Sequence, residues 1–86
     1  MVAEVALVRE TFNLTRGQLA KAMEVSANTV SRWERGTPPT GLHRSVLTAL
    51  HTTAVEVRHD RAKANLIRGV VLVGVAGLLA YALTRR

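Results

Sequence analysis

Apolar side chains recur along the first 57 residues at helical spacing. In VAEVALVRETF they fall at Val2, Val5, Ala6, Val8 and Phe12, near the i, i+3, i+4 repeat that gives a helix one inward stripe. Asn13 follows as the left-handed residue that ends such a helix. Thr15 and Gln18 form a T-x-x-Q capping box, which starts a second short helix at Arg16 and turns Leu19, Ala20 and Met23 inward. The chain is expected to turn at Glu24 and Val25. Ser26 is a good N-cap for a third helix from Ala27 to about Arg35, which Gly36 and the Pro38-Pro39 pair stop. Thr40 is placed to cap a fourth helix. From Gly41 to Asn65 there is no proline and no internal glycine, so that helix is expected to run through LHRSVLTALHTTAVEV into RHDRAKAN, with Leu42, Val46, Leu47, Leu50, Ala54 and Val57 as its apolar face.

The pattern then changes. Residues 58–65 are mostly charged and read as a basic linker, and from Gly69 to Leu83 no side chain carries a charge. With Leu66 and Ile67 added, the apolar stretch is about 18 residues or roughly 27 Å of helix, near the ~30 Å hydrocarbon core of a bilayer. Residues 66–86 are therefore expected to form one long C-terminal hydrophobic helix, a transmembrane anchor with Arg68 and Arg85-Arg86 at its ends and Tyr81 near an interface, the alternative being a helix buried in a soluble oligomer. Gly69, Gly74, Ala76, Gly77 and Ala80 add small residues, and the Ala76/Ala80 pair is of the kind that lets membrane helices approach and self-associate.

Charge sharpens this division. Residues 1–57 hold six Lys or Arg against five Glu, a balance of +1; residues 58–86 hold six against one Asp, a balance of +5. Most of the excess thus lies beside the apolar tail, where a cytoplasmic membrane flank would carry it, and does not by itself point to nucleic acid. The chain has no Cys, which removes disulfides and thiolate metal sites. His43, His51 and His59 are spaced eight apart, so a helix would spread them around its circumference and no metal site is expected. There is no Ser/His/Asp grouping, no paired carboxylates in an apolar setting and no Gly-rich phosphate loop. Neither an enzyme nor a cofactor is expected.

Two short helices joined by a tight turn, the second with an outward surface of small polar and basic residues, is the layout of a helix-turn-helix. The stretch LTRGQLAKAMEVSANTVSRWERG, followed by PP and an apolar helix, resembles the phage-repressor-like, xenobiotic-response-element family of regulators. That resemblance covers Arg9 to about Leu50 and implies an all-α fold; with the cap and stop signals and the apolar face of each helix, residues 1–57 are expected to form a helix-turn-helix bundle of four to five helices. It makes Ala20 the small residue where the motif helices cross, with Leu19, Val25, Val30 and Trp33 inward. It implies an ion pair between Arg9 and Glu34. It also makes Ala27, Asn28, Ser31, Arg32 and Arg35 the outward positions of the third helix, with Thr29 and Arg16 near phosphates. These types suit duplex DNA, since Arg bonds bidentately to guanine, Asn to adenine, and Thr and Ser to phosphate. The family pattern is broken at Glu24, where a glycine is usual.

The expectation is a membrane-tethered DNA-binding regulator or tether, its domain in the cytoplasm at the inner face of a membrane, in contact with lipid and self-associated through the C-terminal helix. Two alternatives stay open. RodZ-like adaptors join a similar domain to a transmembrane helix and use it to bind a protein filament, which a near-neutral domain would allow. A structural subunit of a membrane or viral assembly is the other.

Overall fold

The structure, a computed structural model, describes residues 2–74. Five helices follow one another without strands among these residues: α1 (Val2–Thr11), α2 (Arg16–Met23), α3 (Ala27–Arg35), α4 (Gly41–Val57) and α5 (Arg61–Val73). Local chemistry sets each boundary. Asn13 is left-handed at φ 52° and the Leu14 amide returns to the Arg9 carbonyl at 2.8 Å, closing α1. At the start of α2 both halves of the capping box are made: Thr15 Oγ1 accepts from the Gln18 amide at 3.0 Å and Gln18 Oε1 from the Thr15 amide at 2.9 Å. Ser26 Oγ accepts from the Thr29 amide at 3.1 Å to open α3, and Gly36 at φ 130° ends it. Thr40 occupies the N-cap position of α4 without a side-chain cap bond.

One core joins all five helices. Val5, Val8 and Phe12 of α1 are buried with Leu14, with Leu19, Ala20, Ala22 and Met23 of α2, and with Val30 and Trp33 of α3. From α4 come Val46, Leu47, Leu50, Ala54 and Val57. The side chain of Val2, expected on the same face of α1, lies outside the described part. Along α4 the inward stripe runs through His43, Val46, Leu47, Leu50, Ala54 and Val57. Leu42 stands at the edge of that stripe, about 40° from Val46, in the first turn of the helix. It is 53% exposed, against the expectation from sequence, and at this end it is Pro39 that is buried. Thr53 is also interior and its hydroxyl donates to the Ala49 carbonyl at 3.2 Å.

The C-terminal half departs most from the sequence reading. α4 stops at Val57, and residues 58–65 form a three-residue turn and the first turn of α5 where a linker was expected. Asp60 is the cause: its Oδ1 accepts from the Lys63 amide at 3.2 Å and so begins a new helix. α5 then packs on α2 and α4, with Ala64 and Val71 buried and Ile67 against the core. The compact body accordingly extends through Val73. Gly74 ends α5 at φ 118°, a conformation that favours glycine, so the helix expected over 66–86 is interrupted there. Gly69 is exposed on α5, while Ala76, Gly77, Ala80 and Tyr81 lie outside the described residues.

These facts bear on the expected anchor. No helix among the described residues is long and apolar enough to cross a membrane. A span over 66–83 would require α5 to leave the core.

Candidate nucleic-acid interface

The helix-turn-helix geometry depends on an abrupt reversal after Met23. Glu24 makes it, at φ 58° and ψ 44°, and the Val25 amide then bonds the Ala20 carbonyl at 2.9 Å. A side chain in this conformation costs on the order of 1 kcal/mol relative to glycine. Val25 packs half-buried against the core, and Ser26 opens α3 immediately afterwards.

On α3 two faces have separate uses. Val30 and Trp33 are buried, so the helix is fixed by its inner side. The outer side carries Ala27, Asn28, Arg32 and Arg35, all exposed, with Ser31 half-buried beside them. Asn28, Ser31, Arg32 and Arg35 stand at i, i+3, i+4, i+7 and form one ridge. Thr29 is half-buried and belongs to a polar knot at the start of the helix. Its Oγ1 lies 2.9 Å from Ser26 Oγ and accepts from Arg32 Nη2 at 3.4 Å. The Arg32 guanidinium is thereby drawn toward the N-terminal end of α3.

Beneath the ridge sits an ion cluster. Arg9 Nε donates to Glu34 Oε2 at 2.8 Å, linking α1 to α3. Arg16, expected near phosphates, also pairs with Glu34, its Nη2 at 3.0 Å and its Nε at 3.1 Å from Oε1. Burial opposes the charge on Glu34, but hydrogen bonds from Arg9 and Arg16, and the two positive charges themselves, hold its carboxyl below the usual glutamate range.

Other basic residues are more scattered. Arg44 lines a cleft with Glu4, Thr48 and His51, and Lys21 lines another with Gln18, Ala22 and the end of α5. Arg32 and Arg35 on α3, with Arg9 and Arg16 joined to it through Glu34, are thus the cations at this helix, and of the latter two Arg16 is the more exposed. Sequence reasoning also missed His43, whose Nε2 donates to the Met23 carbonyl at 3.0 Å and whose ring lies 5.6 Å from that of Trp33. Its only sequence signal was its place on the inward stripe of α4. Among the described residues no group of His, Asp or Glu is gathered that would hold a metal.

The sequence profile of the helix-turn-helix family matches residues 5–47, from α1 into the first half of α4 and half of the chain. The chain belongs to the helix-turn-helix family. No curated protein and no solved structure matches it. For this helix-turn-helix protein the motif pair is α2 and α3, and α3 stands in the position of the recognition helix.

Proposed function

We propose that the protein binds duplex DNA by laying the outer face of α3 in the major groove. Asn28 and Arg32 meet base edges there, while Arg35, Arg16, Thr29 and Ser31 meet the phosphate backbone and Ala27 lies close to the DNA surface. The observation that carries the reading is the exposed ridge of Asn28, Arg32 and Arg35 on a helix whose opposite side is locked into the core. Its family supports the same use. Arg32→Ala is expected to relax sequence preference, and Arg35→Ala to weaken all duplexes and reduce the salt slope by about 1. Equal, negligible affinity for every duplex at low salt would refute it. The near-neutral balance of residues 1–57 favours a protein-adaptor reading in that event, in which both variants leave duplex binding at that same negligible level.

A second component concerns the membrane, which we place beside the domain rather than around a spanning helix. Leu66 is 72% exposed and Val73 75%, on the same helix as exposed Arg61 and Lys63. An apolar strip with basic neighbours suits an anionic lipid surface. Co-sedimentation with anionic but not zwitterionic vesicles is the expected result. Failure to sediment with either removes lipid from the proposal.

A further inference from the structure

Two arginines converge on one carboxylate, and they are used differently. Arg9 engages all three of its nitrogens: Nε with Glu34 Oε2 at 2.8 Å, Nη2 with Glu34 Oε1 at 3.5 Å, and Nη1 with the Leu14 carbonyl at 3.4 Å. Its side chain is 19% exposed, as befits a tie between helices. Arg16 engages only Nε and Nη2, both on Oε1 of Glu34, and its side chain is 52% exposed. A guanidinium has five N–H donors arranged as a rigid fork. Contact along the Nε–Nη2 edge leaves the Nη1 end uncommitted.

Charge tells the same story. One carboxylate cannot neutralise two guanidinium groups, so the cluster keeps a net +1. Glu34 itself is only 8% exposed and is fixed by Arg9 from below. Arg16 is thus a surface cation whose orientation is set by a carboxylate on α3 that Arg9 holds in turn, and α3 is the helix proposed to read the DNA. We infer that Glu34 is a positioning residue for Arg16: it holds the guanidinium edge-on so that its free end grips a DNA phosphate in register with α3. The inference rests on the duplex-binding reading. A preset guanidinium loses less side-chain freedom on meeting its phosphate than a free one does.

The opposite role would be competition, in which Glu34 must release Arg16 before a phosphate can take it. The two roles differ in sign. Duplex affinity and its salt slope are to be measured for the full chain and for Glu34→Gln, Arg16→Ala and the double variant, with thermal unfolding to establish that each is folded. Positioning predicts that Glu34→Gln weakens binding roughly fivefold when Arg16 is present and less than about twofold when it is replaced by Ala. Equal losses in both backgrounds would make Glu34 merely structural, and tighter binding by Glu34→Gln would make it a competitor; either overturns the inference while leaving duplex binding intact. If Glu34→Gln does not fold, Arg16→Lys decides instead. Lysine keeps the charge but offers a point rather than a fork, so it is expected to bind nearer to Arg16→Ala than to the parent. Parent-like binding by Arg16→Lys would refute positioning. Absence of binding by the parent itself overturns the duplex reading, and this inference with it.

Discussion

Replacing Val71 by alanine removes two methyl groups from a side chain that is fully buried between α5 and the rest of the core. At about 0.8 kcal/mol per buried carbon, with a further term for the cavity left behind, the loss comes to roughly 2 kcal/mol. A domain of this size holds about 5–10 kcal/mol in all, so the change is a substantial part of the whole. The expected fall in Tm is roughly 8–16 °C. Val73→Ala, two residues along the same helix but 75% exposed, is expected to stay within about 0.5 kcal/mol of the parent. Truncation after Asp60 removes Ala64, Ile67 and Val71 together and uncovers Ala22 on α2, so it is expected to cost more than either substitution. Urea and thermal unfolding followed by far-UV circular dichroism, on a chain ended at Gly74, measure all three. If Val71→Ala melts with Val73→Ala, or the chain cut after Asp60 melts with the parent, α5 is an appendage and its assignment to the core is wrong.

Trp33→Ala is expected to cost about 3–5 kcal/mol, because a buried ring that also faces His43 leaves a cavity the small core cannot close; loss of less than about 1 kcal/mol in urea unfolding would contradict this. Glu24→Gly is expected to stabilise the fold by up to about 0.5 kcal/mol, the Cβ penalty of about 1 kcal/mol at φ 58° less the roughly 0.5–1 kcal/mol that glycine's freedom in the unfolded chain takes back; a lower midpoint would show that the Glu24 side chain contributes something the backbone argument omits. Glu34 gives a pH dependence. Its folded carboxyl titrates below the ordinary glutamate range, so its stabilisation is present above the unfolded value and lost as pH falls through the folded one. The stability gap between the parent and Glu34→Gln is therefore expected to be largest near neutrality and to shrink below about pH 4; a gap unchanged down to pH 3 would contradict the assignment.

The first three helices and the start of the fourth were legible because turn and cap residues mark them locally, whereas at Val57, where α4 ends, the sequence reads as continuous helix. Thr15 and Gln18 need only each other, and Ser26 needs only the Thr29 amide three residues on. α5 was not legible, because its signals overlap. Ala64, Ile67 and Val71 keep inward spacing, but Leu66, Leu72 and Val73 are apolar and exposed. A pattern hydrophobic on both sides looks the same whether the partner is a core or a lipid. Asp60 was the available clue, as a cap that forbids an uninterrupted helix through the charged run. The Arg16–Glu34 pair was hidden for a different reason: arginine suits a phosphate and a carboxylate equally well, and 18 residues of sequence separate these two partners.

α2 has eight residues and four of them, Leu19, Ala20, Ala22 and Met23, are buried. So short a helix does not hold itself together in water. Its order comes from its capping box and from packing against both α3 and α5. Amide exchange should make this dependence visible, because a local opening that lifts α5 uncovers α2 before it disturbs the α1–α4 pair. The motif that presents α3 is then only as long-lived as the closed state of a helix outside the motif, and the exchange rates of the Ala22 and Met23 amides become a clock for how often the reading helix loses its support.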